Sequence, residues 1–264
     1  MTIIIFLLIL AVLILVHEFG HFIIAKKNNI RVDEFGLGFP PRLIRLFKKG
    51  ETEYTLNLIP FGGFVKIFGE SPSEDSNDLD KERSLISKPK RVQALVLAGG
   101  ILFNLLFAWI LLSIVFMFGM PNVEGEVVKL GFFSSIFEGL KITLLITKET
   151  VFAFGTLIWQ AVTGSADLTV ITGPIGIVGL VGQASSLGFI YILIFTAIIS
   201  INLAVINLVP FPALDGGRLF FLLIEYIKGT PIKPKIFQTI NTFGFLALII
   251  LMFIVTYNDI INLL

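Results

Sequence analysis

The sequence predicts a membrane all-α domain: about four transmembrane helices, with a membrane-associated β-hairpin and an interfacial amphipathic helix between them. Three observations carry this expectation. Of the 264 residues 55% are hydrophobic and only 15% charged, where soluble domains carry about 25% charged residues. Uncharged apolar runs of roughly the 20 residues needed to span a bilayer recur along the chain. Between the runs, two polar segments hold 17 of the 20 Lys and Arg residues.

The first run is Thr2–Val16, resumed at Phe22–Ala25, and it predicts a span over residues 2–25. A signal peptide is the competing interpretation, but no basic region precedes the run and no small-residue cleavage site ends it. Residues 26–91 are polar and mixed, with 13 of the 20 Lys and Arg. Within them, β-branched and aromatic residues flank Pro60-Phe61-Gly62-Gly63, which predicts a hairpin turning there. That hairpin is too apolar for a solvated one, so it is expected to dip into the membrane or a cavity. Residues 70–82, with five acids before Lys81, are expected to form an exposed loop.

A second span is expected over 92–118; it opens with Gly99-Gly100, which permits close helix contact, and carries the polar Asn104. A short connector over 119–131 leads to residues 134–164, where Glu138, Lys141, Lys148 and Glu149 interrupt the apolar pattern. Such a segment reads as a helix lying at the interface. Spans over 189–209 and 243–261 complete the set. With four spans, both basic loops fall on one side, and the positive-inside rule then places both termini outside. Membrane lipids are accordingly expected partners. The formal net charge of +1 gives no reason to invoke nucleic acid.

Cysteine is absent, which excludes disulfides, iron–sulfur clusters and Cys-based zinc sites. The only two histidines stand in His17-Glu18-Phe19-Gly20-His21. On a helix, positions i and i+4 share a face, so both imidazoles can bind one zinc ion while Glu18 serves as general base. Three ionisable residues inside a membrane-spanning run are costly unless used. Two satisfied histidines near a helix end would explain neither the spacing nor Glu18. A catalytic zinc site needs a third protein ligand. Asp215, which follows the third span and the breaks at Pro210 and Pro212, is the best candidate, although Asp before Gly216-Gly217 is also a common turn residue. Glu225 is the alternative acid on the same loop.

Taken together, these residues resemble the site-2 protease family of intramembrane zinc metalloproteases, particularly the bacterial branch typified by the regulator of sigma-E protease. His17–His21 resembles the family's zinc motif, and Asn207-Leu-Val-Pro210-Phe-Pro212-Ala-Leu-Asp215-Gly216 its second signature. Pro60–Lys66 is similar to its membrane-reentrant β-loop, Gly100–Asn104 to its second-helix motif, and Thr172–Gly176 to the segment before its third span. The resemblance implies Zn2+ held by His17, His21 and Asp215, with Glu18 catalytic. It further implies a substrate contact at Asn207, and a weaker one at Asn104, although both asparagines also suit interhelical hydrogen bonds. An edge strand at Gly62 and Gly63 is expected to bind the unwound substrate by β-augmentation.

The implied substrates are transmembrane segments of single-span proteins, such as anti-sigma factors or signal-peptide remnants, in a bacterial inner membrane. The chain departs from the branch in one respect: the stretch between the second span and the interfacial helix is too short for a PDZ domain. Two other readings of the motif stay open. One is a gluzincin-like membrane protease with Glu225 as third ligand. The other is a non-enzymatic metal transporter or pseudoprotease.

Overall fold

Helix α1, Thr2–Lys27, forms as the uninterrupted apolar run predicts. It belongs to a computed structural model that describes residues 1–70, 81–121, 127–165 and 172–263. Strands β1 (Val32–Lys49) and β2 (Thr52–Ile67) follow. Next come α2 (Lys90–Leu97), α3 (Gly99–Phe118), the two-residue strands β3 (Met120–Pro121) and β4 (Val127–Val128), and α4 (Phe132–Thr163). The chain ends with α5 (Pro174–Leu187), α6 (Phe189–Leu208), α7 (Asp215–Lys228) and α8 (Pro234–Leu263). The fold is thus mostly helical with a small sheet. Among the described residues, five helices are long and apolar enough to cross a membrane: α1, α3, α4, α6 and α8.

Two compact units are present: Leu7–Asn104 with Ile206–Phe245, and Met1–Phe6 with Leu105–Val205 and Leu246–Leu264. In the first, α1 and α3 approach backbone to backbone. A Cβ on Gly20 would lie 2.2 Å from the Gly99 carbonyl oxygen, and one on Gly99 would lie 2.7 Å from that of Gly20. Only glycine permits this distance. The hairpin joins the same unit through a core of Ala25, Ile30, Val32, Val65, Ile67, Leu85 and Val96.

The hairpin differs from expectation in where it turns. The chain reverses at Gly50–Glu51, where polar residues surround a glycine with φ of +62°, and Pro60–Gly63 lies inside β2. Both long strands are used twice. Glu34–Leu37 pairs with Lys66–Gly63 on one side and with Glu53–Leu56 on the other, while Arg42–Lys49 pairs with Asn57–Thr52. Segment 63–67 is therefore an outer edge with no second strand partner among the described residues. The sheet also presents Leu43, Ile44, Leu46, Phe47 and Leu58 outward, as expected of a hairpin that meets lipid or a cavity rather than water.

In the other unit, α4 packs along α3 and α6. The Trp109 indole N–H donates to the Ile136 carbonyl at 2.9 Å, and Ile142, Ile146 and Phe154 lie against a core of Ala108, Leu111, Leu112, Ala197, Ile201 and Val205. Gly164, with φ of +71°, caps α4 in the left-handed conformation, so this helix ends where the sequence predicts. Asp259 of α8 is buried and accepts from the backbone N–H groups of Gly173 (3.0 Å) and Gly176 (2.9 Å), capping α5 from outside its own helix.

Several boundaries move. The run expected as one span over 92–118 breaks at Ala98 into the short α2 and the 20-residue α3. The last helix starts at Pro234 rather than near 243, because proline is well placed in a first helical turn. The acidic loop over 70–82 lies largely, and the connector over 119–131 in part, outside the described residues, at 71–80 and 122–126.

Candidate metal centre

His17 and His21 are one turn apart on α1, both buried, and both face the start of α7. His17 Nε2 lies 3.0 Å from Asp215 Oδ2, His21 Nε2 lies 3.2 Å from the same oxygen, and the two Nε2 atoms are 3.3 Å apart. Ligands held about 2.0–2.2 Å from a tetrahedral ion are separated by roughly 3.3–3.6 Å. The three donor atoms thus fit one small tetrahedral cation after a shift of a few tenths of an ångström. Among the described residues this is the one group of three or more His, Asp and Glu side chains spaced to hold a metal.

What holds each candidate ligand can be traced to its own element. His21 Nδ1–H donates to the Val96 carbonyl at 2.8 Å, which fixes the tautomer whose Nε2 lone pair faces Asp215. His17 Nδ1 lies 3.1 Å from the Asn104 amide, which is fully buried. When Nε2 is given to a metal, Nδ1 keeps its proton, and the amide must present its oxygen; its two ends have nearly the same shape. Behind both rings stands Gly100. A Cβ there would lie 2.5 Å from His17 Cε1, His17 Nε2 and His21 Nε2.

Asp215 is the first residue of α7, where the helix dipole favours a carboxylate. Its placement depends on a tight turn over 209–214. Phe211 N–H donates to the Val209 carbonyl at 2.7 Å, and Ala213, at φ of +74°, donates its N–H to Asn241 Oδ1 at 3.0 Å. The turn nests against glycines. A Cβ on Gly216 would lie 2.3 Å from the carbonyl oxygens of Leu208 and Val209, and one on Gly217 would lie 2.1 Å from that of Phe211. Gly244 of α8 faces Pro212 in the same way. Two ion pairs hold the rest of α7, Arg218 with Glu70 and Lys90 with Glu225.

Glu18 is not part of the three-ligand cluster. It is half-buried and packs beside the outer strand, its Cγ 3.3 Å from where a Cβ on Gly63 would be. The structure therefore brings together His17, His21, Asp215 and Asn104, with Glu18 against Gly63. Asn207 is half-buried on the last turn of α6, and Gly62 lies in β2 at φ of +120°. Glu225 is engaged elsewhere, by Lys90 and by the Ile232 N–H at 3.0 Å. Sequence reasoning missed Val96, Asn241 and Gly244. Two of the three act through backbone atoms, which leave no mark in a motif, and Asn241 belongs to none of the motifs the sequence displays.

Comparison with known proteins agrees with this geometry. The model of peptidase family M50 matches residues 5–251. A protein named as a zinc metalloprotease in Clostridium perfringens is 34% identical over 337 aligned positions, covering 99% of each chain. A similarly named protein of Clostridium acetobutylicum is 31% identical over 340 positions, covering 98% of this chain and 97% of its own. The regulator of sigma-W protease RasP of Bacillus subtilis is 25% identical over 414 positions, covering 98% of each. Because this chain has 264 residues, at least 73 positions of the first alignment (337 less 264) face a gap in it.

Proposed function

The chain belongs to peptidase family M50, and on that premise we propose that it is an intramembrane zinc metalloendopeptidase cleaving transmembrane segments of single-span membrane proteins. One observation carries the reading: three donor atoms from α1 and α7 converge at 3.0–3.3 Å inside apolar helices, with a carboxylate beside them that is not a ligand. His17, His21 and Asp215 would hold the ion, which when bound would supply an acidified water and a Lewis acid for the carbonyl. Glu18 accepts the proton of the attacking water on a carboxylate oxygen and later delivers it to the leaving amine.

The substrate must unwind before its peptide bond is reachable, because helical hydrogen bonds and side chains cover it. The edge segment 63–67, with Gly62 and Gly63 at its start, offers free backbone groups to the unwound strand. A strand paired there runs past Glu18, which supports this assignment. Asn207 is assigned to the substrate backbone on the strength of the Asn-x-x-Pro-x-Pro-x-Leu-Asp pattern. For Asn104 the geometry favours a different role from substrate contact, since it stands against the His17 ring atom that faces away from Asp215.

A parity argument supports four spans with both termini outside. The ion pairs Arg218–Glu70 and Lys90–Glu225 support a common side of the membrane for the loops 28–90 and 209–233. An even number of crossings must then separate Leu97 from Val209. Helices α3 and α6 make two, and the 14-residue α5 is, at about 21 Å, too short to cross. Counting α4 would make three, so our reading leaves α4 uncrossed although it packs along α3 and α6, and its exposed Lys148 and Glu149 favour the outer side. The basic segments that contain these loops, 26–91 and 218–235, carry 17 of 20 Lys and Arg, which favours the cytoplasm for both. The gap of at least 73 positions against the clostridial relative is consistent with a protease that lacks a PDZ domain.

The Bacillus subtilis relative is named regulator of sigma-W protease RasP, which favours anti-sigma factors as substrates, with signal-peptide remnants as the second choice. The test is cleavage of a single-span reporter in liposomes by wild type and by Glu18→Gln, with zinc quantified in both. Cleavage by wild type alone, at equal zinc content, is expected. Equal cleavage by both removes Glu18 from the mechanism, and an absence of zinc from both overturns the assignment.

A further inference from the structure

Away from the metal centre, helices α2 and α7 enclose an open groove of about 320 Å³. Its lining changes character along its length. Lys90 and Arg91 stand in the first turn of α2, whereas Ala94, Leu219, Leu223 and Tyr226 form an apolar wall. The small side chain of Ala94 leaves the space opposite the two leucines.

Two further observations say what fills it. First, Phe220, Leu223, Tyr226 and Ile227 of α7 are half to three-quarters exposed. A helix that turns such residues outward, in a multi-pass membrane protein, borders the acyl and headgroup layers rather than water. Second, the charge is one-sided. Lys88, Lys90 and Arg91 follow closely at the start of α2 and Lys228 ends α7, while among the described residues lining the groove there is no acid, Glu225 lying beside it in an ion pair with Lys90. Arg91 is exposed and, among the described residues, no carboxylate lies within ion-pair distance of it.

We propose that this groove is a binding site for an anionic glycerophospholipid, its phosphate held at Lys90 and Arg91 and an acyl chain lying along Leu219, Leu223 and Tyr226. A cationic end joined to an apolar wall complements a phosphate joined to an acyl chain, and clustered basic residues at the cytoplasmic membrane surface select anionic over zwitterionic headgroups. The site matters to the metal centre mechanically. Leu219 and Leu223 lie one and two turns beyond Asp215 on α7, so a lipid seated there braces the helix that presents that ligand. The inference needs only membrane embedding, and it stands or falls separately from the protease assignment.

The experiment measures binding of dioctanoyl-phosphatidylglycerol, dioctanoyl-phosphatidylcholine and free glycerol 3-phosphate to the full chain in neutral detergent, by native mass spectrometry and thermal shift. Phosphatidylglycerol is expected to bind at least fivefold more tightly than phosphatidylcholine, the weight of about one interfacial cation. Arg91→Gln should lower phosphatidylglycerol affinity about fivefold and leave phosphatidylcholine unchanged. Leu223→Asn should weaken both lipids. Equal affinity of wild type for the two lipids, an unaltered preference in Arg91→Gln, or glycerol 3-phosphate binding as tightly as the lipid would each overturn the proposal. If Arg91→Gln fails to fold, the wild-type comparison and Leu223→Asn still decide it.

Discussion

Gly100 offers the most direct test of how the metal centre is built, because it touches the site without contributing a single ligand atom. Alanine at this position puts a Cβ 2.5 Å from His17 Cε1, His17 Nε2 and His21 Nε2. Ordinary carbon contacts lie at about 3.5–4.0 Å, so the two rings must retreat by roughly 1 Å or α3 must move away from α1. Neither is easy: α3 is already in backbone contact with α1 at Gly20 and Gly99, and His21 is tied to Val96. Overpacking of this kind costs about 1–3 kcal/mol of stability, which a membrane-embedded fold can survive. The effect on function should be larger. A 1 Å displacement spoils ligand separations that are now 3.0–3.3 Å, and misplacement on that scale costs about 100-fold in rate. Gly100→Ala is therefore expected to lower zinc affinity by at least tenfold and cleavage by about 100-fold, with only a modest fall in unfolding temperature. The assay is chelator competition with Zn2+, reporter cleavage and thermal unfolding on one preparation. Zinc affinity and cleavage both within twofold of wild type would refute the account of Gly100 as the floor of the site.

Asn104→Leu is expected to weaken zinc binding 10- to 100-fold by removing the acceptor behind His17, and Asn104→Asp should restore most of it; equal affinity in Leu and Asp variants would show that the amide does not position the ring. Asp215→Ala should abolish stoichiometric zinc while Glu225→Ala retains it, and the reverse pattern, read by metal analysis, would favour the gluzincin-like arrangement. Asp259→Asn should destabilise the protein by about 1–3 kcal/mol, because an amide N–H₂ replaces one acceptor facing Gly173 or Gly176, without changing zinc content. A calorimetric or denaturant midpoint equal to wild type would show that the cap contributes nothing.

The three proposed ligands were legible in the sequence as a candidate set because their chemistry is written in side chains. Two histidines four apart on a membrane helix leave few alternatives, and an acid beyond a proline-broken span completes a set that composition had narrowed to His, Asp and Glu. The hairpin was legible as a hairpin but not in register. Pro60-Phe61-Gly62-Gly63 carries turn residues, yet the chain reverses at Gly50–Glu51, and the residues around Gly62 instead let β2 bend and pair twice with β1. Periodicity could not reveal the break at Ala98 either, since α2 and α3 share one apolar run and are parted by the close crossing at Gly20 and Gly99. The count of spans was hardest. Length and hydropathy admit α4 as a fifth, and leaving it uncrossed is a proposal that rests on two ion pairs between segments more than 130 residues apart.

The arrangement also explains why so many glycines surround so few ligands. Inside a bilayer the attraction between helices comes from packing and hydrogen bonds rather than from the hydrophobic effect, so precision requires backbones that approach closely. Here Gly20, Gly99 and Gly100 bring α3 against the imidazoles of α1, while Gly216, Gly217 and Gly244 let the turn over 209–214 and the start of α8 close around Asp215. Both ligand-bearing elements are thus positioned by backbone contact, with Val96 and Asn104 setting the rings and Asn241 steadying the turn. If that division holds, substitutions at these glycines should fail by misplacing ligands that are themselves intact. Metal affinity should then fall more steeply than stability, whereas Asp259→Asn, which caps α5 and contacts none of these residues, should do the opposite.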